Sequence, residues 1–358
     1  MTVQPIVYDV SKPFPVIRCT GSARERGRQH GQQAKTQVHG SINAYKSIFL
    51  DLAGLSWDDV LQKAATFEAP LRSQHPDLVE EMEGVADGAG VDFVSILALN
   101  VRSEISLAEP LDGCTSLSRV SSDGSRYIAQ NWDWKTAIFP SIIVLHIEPD
   151  DGSPTIQMMT EAGIIGKMGH NASGVCLVMN AIKAKSLNRK LLPIHLLMRR
   201  ILQQSNAAAA RQYLESLPGC AASVHLMVAD KETAFTLETS PKGFTFIEPD
   251  ENTVLCHTNH FIDADVHRKS NEVNDWLADS PVRLAKIRDT LAQTPDISHE
   301  RIRELLSDRS NGPRSICRHE GGTGIDTLFT ITMNATDGSA QVKVGKPDEA
   351  GFVMDLTL

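Results

Sequence analysis

The prevailing period of the apolar positions changes at Cys114, and the change divides the chain. After a short alternating run at 16–19, residues 22–52 form a long polar-to-apolar stretch interrupted by Gly27, Gly31 and Gly40. Residues 57–71 and 77–86 carry apolar side chains at helical spacing, and Pro76 suits a first helical turn. Residues 91–105 follow, with Phe93, Ile96, Leu97 and Val101 on one face. From Cys114 the period shortens. Runs at 114–120, 126–132, 141–147 and 155–160 are separated by turn pairs such as Asp123-Gly124 and Asp151-Gly152. Further strands are predicted at 174–180, 223–229, 233–239 and 244–248, and a last hairpin at 328–334 and 340–344. Two helix pairs interrupt them, at 193–204 with 207–217 and at 281–292 with 299–306, the second opened by Ser280-Pro281. Many antiparallel strands with segregated helices predict an α+β fold of packed sheets covered by helices. The expected division is residues 1–113, mostly helical, and residues 114–358, β-rich.

Composition narrows the function. The 358 residues are 41% hydrophobic and 22% charged, which is enough apolar mass for a large core. The net charge of −9 divides into −5 before Cys114 and −4 from it onward, so neither part has the basic excess of a nucleic-acid binder. The longest uncharged stretches are too short or too polar for a membrane span, and the first residues show no cationic and apolar leader. Six cysteines without a C-x-x-C pair suggest reduced thiols, and the terminal Leu356-Thr357-Leu358 is not a peroxisomal tripeptide. A cytoplasmic location is expected, with no nucleic-acid or membrane partner.

The candidate chemistry centres on sulfur. His257, His260 and His267, with Cys256 beside them, have a loose metal-like spacing, but the Thr258-Asn259 insert predicts a loop and no metal is expected. Gly163, Gly166 and Gly169 lack the order of a dinucleotide fingerprint and any G-K-[ST] ending, and are read as turn glycines. The Glu320–Gly324 segment lacks that ending too. Cys114 stands at the change of period, after Gly113. Asn131 and Asp133 sit in an apparent strand, where such residues are unfavourable without a polar task.

Five blocks together make the chain recognisable: DGCT (112–115), QNWD (130–133), TEAGIIGK followed by G-x-N (160–171), HTNH (257–260) and SICR (315–318). In order and approximate spacing they resemble the fungal acyl-coenzyme A:isopenicillin N (6-aminopenicillanate) acyltransferase family, a branch of the N-terminal nucleophile hydrolases. The resemblance implies a four-layer α/β/β/α sandwich and a precursor that cuts itself between Gly113 and Cys114, the two fragments remaining together as one domain. It implies that Cys114 becomes the N-terminal nucleophile. Asn259, and more weakly Asn171, fall on oxyanion-stabilising positions. Asp133 and Arg318 fall on positions that hold the substrate's polar groups. No cofactor is implied; acyl-CoA would enter as a co-substrate, and the partners are a small acyl donor and an amine or amide.

The residues support that chemistry. A thiol needs a base, and an α-amine with a reference pKa of about 7.7–8.0 can serve as one. The missing side chain at Gly113 would permit a strained approach of the sulfur to the preceding carbonyl. Two alternatives stay open: an intact papain-like hydrolase with His257 or His260 as base, and a non-catalytic binding protein on the same scaffold. Cys317, beside Arg318, is read as a core residue.

Overall fold

Two β-sheets lie face to face between layers of helix. The computed structural model describes residues 9–105, 113–263, 278–319 and 325–358. The first third contributes strand β1 (Val16–Gly21), then α1 (Ala23–Gln33), α2 (Lys35–Ala53), α3 (Trp57–Ala65), α4 (Glu68–Gln74), α5 (Pro76–Ala89), α6 (Phe93–Asn100) and α7 (Arg102–Ile105). The middle of the chain forms β2 (Gly113–Val120), β3 (Arg126–Lys135), β4 (Ile142–Pro149), β5 (Ile156–Glu161), β6 (Met168–Asn171) and β7 (Cys176–Ala181). Helices α8 (Ile194–Leu202) and α9 (Ala207–Glu215) then precede β8 (Val224–Ala229), β9 (Ala234–Ser240), β10 (Gly243–Ile247) and β11 (Leu255–His257). The chain ends with α10 (Asp279–Ala292), α11 (His299–Leu306), β12 (Ile325–Asn334), β13 (Ala340–Val344) and β14 (Val353–Leu356).

The larger sheet has the order β1-β4-β5-β6-β7-β8-β9-β10 and the smaller one β11-β2-β3-β12-β13-β14. Among the described residues, only β1 with β4 pairs in parallel, and the other strand pairs are antiparallel. Strands β2 and β3 face β7, and α1, α2 and α8 lie against the large sheet. The far face of the small sheet buries Leu117, Tyr127 and Ala129 against Leu284, Ile287 and Leu291 of α10 and Ile302, Leu305 and Leu306 of α11. The order of layers is therefore α/β/β/α. No helix among the described residues is long and apolar enough to cross a membrane.

The glycines that seemed to interrupt residues 22–52 have a packing role. Gly27 and Gly31 of α1 face Gly84 and Gly88 of α5, and a Cβ at any of the four would overlap backbone of the opposite helix. Two G-x3-G faces thus bring the helix axes closer than side chains allow. Of the three glycines in TEAGIIGK and its sequel, only Gly163 is a left-handed turn residue (φ +99). Gly166 instead lies under the carbonyl of His195, and Gly169 under that of Gln157.

The turn around Gly163 is held from several helices. The Asn100 amide donates to Gly163 O at 2.8 Å and accepts from Ile165 N at 3.0 Å. His30 Nε2 accepts from Gly163 N at 3.1 Å, and Arg199 donates to Ile165 O at 2.9 Å. Burial pushes His30 down to about 4, so the folded ring is neutral at pH 7, as its acceptor role requires. Between about pH 4 and 6.5 the unfolded chain binds a proton at this position that the folded chain does not. The stability contributed is complete above that window and is lost as pH falls through it. A His30→Gln chain keeps an acceptor and cannot titrate there. Its unfolding free energy should fall by about 2 kcal/mol less than that of the parent between pH 7 and pH 5, as measured by urea titration.

Candidate active site

Residue Cys114 occupies the second position of β2, an inner strand of the small sheet between β11 and β3. Gly113 pairs with Asp133, and Cys114 with Trp132. Alternation along the strand places Cys114 on the pleat of Trp132 and Ile128, inside the core between the sheets, and Gly113 on the opposite pleat with Asp133. On the other side of β2, His257 pairs with Ser116. Continuing that register by two residues brings Asn259 opposite Cys114, and the Cys114 N–H donates to Asn259 Oδ1 at 2.9 Å. This is the physical meaning of the HTNH block. Its first histidine is in a strand, and its asparagine leaves the ladder to receive the backbone at Cys114 through its side chain.

The start of α10 fixes that side chain. Ser280 Oγ accepts from Asn259 N at 2.7 Å, and Ser280 O accepts from Thr258 Oγ1 at 2.9 Å. Arg283, fully buried one turn further on, donates to Asn259 Oδ1 at 2.8 Å, to Cys114 O at 2.7 Å and to Thr115 Oγ1 at 3.1 Å. Asn259 Nδ2 donates one hydrogen to Ala181 O at 3.0 Å and retains a second. Burial, followed by the neighbouring Arg318, lowers the pKa of Arg283.

Arg283 and Arg318 share one carboxylate. Asp279 Oδ2 accepts from Arg283 Nε at 2.8 Å and from Arg318 Nη2 at 2.7 Å. Arg318 Nε meets Asp133 Oδ2 at 3.2 Å, and Thr327 Oγ1 donates to Asp133 Oδ1 at 2.6 Å. Two cations and two carboxylates thus form a neutral quartet under the strand that carries Gly113. The Arg318 guanidinium lies against Gly113, and a Cβ there would overlap its Nε, Cζ and Nη2. Close approach of a buried cation accounts for the glycine better than backbone strain does, since Gly113 has no positive φ.

Cys114, Asn259, Asp133 and Arg318 are therefore brought together, joined by Arg283, Asp279 and Ser280, which sequence reasoning missed. Ser280 was visible only as a helix start. Arg283 was legible only as a charge beside the apolar stripe of Leu284, Ile287 and Leu291. Asn171 is not brought to them. At the end of β6 it donates to Leu202 O at 2.8 Å and Gln204 O at 2.7 Å, and accepts from Ser173 N at 3.0 Å and Val175 N at 2.9 Å. Its amide is spent on the end of α8 and its own turn.

The histidines of the HTNH block have other partners. His257 Nδ1 faces Thr258 O at 2.8 Å and Nε2 faces Glu238 Oε1 at 2.8 Å, so neither nitrogen presents a lone pair to a thiol. Its ring stacks on His225 with centroids 3.5 Å apart. Glu238 also accepts from Ile262 N at 2.6 Å and Asp263 N at 3.1 Å, which grips both sides of the loop bearing Asn259. His260 Nδ1 lies 2.7 Å from Ser280 Oγ, and burial with nearby cationic groups pushes it down to about 4. His267 and Glu320–Gly324 lie outside the described residues. His257 and His260 do not converge on a common point, as their other partners show.

Comparison with known proteins identifies the family. Residues 120–349 match the family model of acyl-coenzyme A:6-aminopenicillanic acid acyl-transferase. The acyl-coenzyme A:6-aminopenicillanic-acid-acyltransferase 40 kDa form of Emericella nidulans is 33% identical over 348 residues, covering 95% of this chain and 96% of that one. The beta-alanyl-dopamine/carcinine hydrolase of Drosophila melanogaster is 24% identical over 299 residues, 76% of each chain. Among solved structures, a mutant conjugated bile acid hydrolase from Clostridium perfringens superposes with a TM-score of 0.47 at 13% identity, covering 68% of this chain and 92% of that one. The chain belongs to the acyl-coenzyme A:6-aminopenicillanic acid acyltransferase family of N-terminal nucleophile hydrolases and is an enzyme of the acyltransferase/amidohydrolase class.

Proposed function

We propose that the Cys114 thiol adds to the Gly113 carbonyl, that the acyl group shifts from nitrogen to sulfur, and that water hydrolyses this thioester to leave the Gly113 carboxylate and the Cys114 amine and thiol. The processed Cys114 then takes acyl groups from small amides or CoA thioesters. The fragments 1–113 and 114–358 stay associated as one domain. The observation that carries this reading is the grip on Cys114 itself. Its nitrogen is held by Asn259 Oδ1 and its carbonyl by Arg283. Once the bond to Gly113 is broken, that nitrogen is a free amine already fixed by Asn259. The amine takes the thiol proton, the sulfur attacks the acyl carbon, and the remaining Nδ2 hydrogen of Asn259 serves the oxyanion. Collapse releases the leaving amine or CoA thiol, protonated from the same ammonium, and leaves a thioester. Water or an acceptor amine resolves it.

Two relatives fit this scheme, one named for acyl transfer involving 6-aminopenicillanic acid and the other for hydrolysis of beta-alanyl-dopamine and carcinine. Asp133 and Arg318 are proposed for the substrate's polar groups, because withdrawal of Gly113 would uncover the guanidinium that it now covers. The papain-like reading is disfavoured by the partners of His257 and the low pKa of His260.

Three outcomes test the proposal. Purified protein should run as two bands of about 12 kDa and about 27 kDa, from 39.1 kDa in proportion to residues, with Cys at the new N-terminus. Cys114→Ala should give one band, and a Cys114→Ala chain that still splits at this bond would remove the sulfur from the mechanism.

Activity of the processed enzyme should rise with pH as the Cys114 amine loses its proton, with an apparent pKa at or below the reference of about 7.7–8.0, since nearby Arg283 disfavours the ammonium. N-acetylation that leaves the thiol free should abolish turnover, whereas His257→Ala with His260→Ala should spare the chemical step in single-turnover assays. The reverse pattern would establish a histidine base.

In the uncleaved Cys114→Ala background, Gly113→Ala should destabilise the fold by about 1–3 kcal/mol through overlap with Arg318. Adding Arg318→Ala should give a sum well below additivity in urea unfolding. Strict additivity would show that the guanidinium does not dictate this glycine.

A further inference from the structure

Outside the quartet, three donor atoms of different chemistry meet behind Arg318. Cys317 Sγ lies 3.1 Å from Asp348 Oδ1 and 3.5 Å from His319 Nε2, and His319 Nε2 lies 2.9 Å from Asp348 Oδ1. We propose that Cys317, His319 and Asp348 form a binding site for a divalent transition metal, zinc by the nature of its donors. A tetrahedral zinc with Zn–S of about 2.3 Å and Zn–N and Zn–O of about 2.0–2.1 Å separates its ligand atoms by about 3.3–3.6 Å. The observed triangle needs to open by only a few tenths of an ångström, and a fourth position is left for water. Thiolate with imidazole favours zinc over calcium or magnesium, which prefer oxygen donors.

The surroundings orient each ligand. His319 Nδ1 faces Glu349 Oε1 at 3.4 Å, the carboxylate–histidine arrangement that directs Nε2 and its lone pair toward a metal. Cys317 is buried, and its N–H donates to Asp308 O at 2.9 Å. His319 forms an isolated bridge with Asp326. Arg309 approaches Asp348 Oδ2 at 3.5 Å, leaving Oδ1 to the cluster, and Lys346 pairs with Glu349 at 3.7 Å and Asp326 at 3.3 Å. These two cations line the site and limit its affinity. Binding replaces the thiol proton with the metal and releases that proton to solvent. The ion would fasten both neighbours of Arg318 to the turn between β13 and β14, so its role is to hold the SICR segment in place.

The full-length Cys114→Ala chain tests this without dependence on cleavage or activity, and it removes the nucleophile thiol as a competing ligand. After chelator treatment and dialysis, cobalt(II) should bind at one equivalent with thiolate-to-cobalt charge transfer in the near ultraviolet and tetrahedral bands in the visible. Zinc should displace it and raise Tm by several degrees, because the ion binds the folded chain. Cys317→Ser should remove the charge-transfer band and Asp348→Asn should weaken binding. If Cys317→Ser does not fold, loss of the visible bands in His319→Gln supplies the same result. No saturable cobalt uptake, or a thiolate band that survives Cys317→Ser, would overturn the proposal.

Discussion

A single carboxylate, Asp279, sets the conditions at the start of β2, where Gly113 and Cys114 lie. Two guanidinium groups buried side by side repel each other and cost several kcal/mol to desolvate unless anions neutralise them. Asp279 binds both, and Asp133 binds the second. With that balance met, Arg283 is free to hold the Cys114 carbonyl and the Asn259 amide, and Arg318 is pressed onto Gly113. Loss of either anion would leave an uncompensated charge at the bond proposed for cleavage.

The same arrangement recurs elsewhere between the layers. Glu81 of α5 receives both terminal nitrogens of Arg199 at 2.9 Å and the Arg26 guanidinium at 3.3 Å. Glu161 of β5 pairs with Lys167 and with Arg102 at 3.1 Å, and accepts from Tyr45 Oη at 2.8 Å. Lys167 Nζ stands 3.4 Å from the centre of the Trp132 ring, on the pleat that also carries Cys114. Each carboxylate joins elements distant in sequence. Desolvation offsets much of the attraction in buried pairs of this kind, whereas loss of one partner leaves an uncompensated buried charge. The TEAGIIGK block is therefore scaffold: it places a neutralised lysine against Trp132, the residue that pairs with Cys114.

Polar contacts across the sheets complete the scaffold. Ser116 of β2 donates to Asn180 of β7 at 2.6 Å, and Asn180 Oδ1 also meets His225 Nδ1 at 2.8 Å. Gln130 of β3 exchanges hydrogen bonds with the backbone of Met179 on β7. Such bonds are directional where packing alone is not, so they fix how the two sheets slide over one another. The loop bearing Asn259 inherits that alignment through the His257–Glu238 bond.

How much of this was legible depends on the range of the forces involved. Period and turn chemistry are local, so the helical first third, the change at Cys114 and most strands could be read from the chain. The three-residue β11 and the four-residue β6 and β14 offer too few positions for a period and were missed. So was the break at Ala34 between α1 and α2. The recognisable blocks carried Cys114, Asn259, Asp133 and Arg318 through their resemblance to a known family; of the four, only Asp133 also stood out as a polar residue in a strand-like run. Tertiary structure alone decided the rest. Arg283 lies 169 residues from Cys114, and Glu238 and Ser280 act on Asn259 from separate elements. Asn171 was assigned by position to a task that its saturated amide leaves no donor to perform. Cys317 and His319 find Asp348 only after a return of about thirty residues through β12 and β13. Sequence by itself determined the elements and the reactive types, because those follow from neighbours along the chain. Which charges meet, and which glycine a guanidinium covers, depend on distances that exist only once the layers have closed.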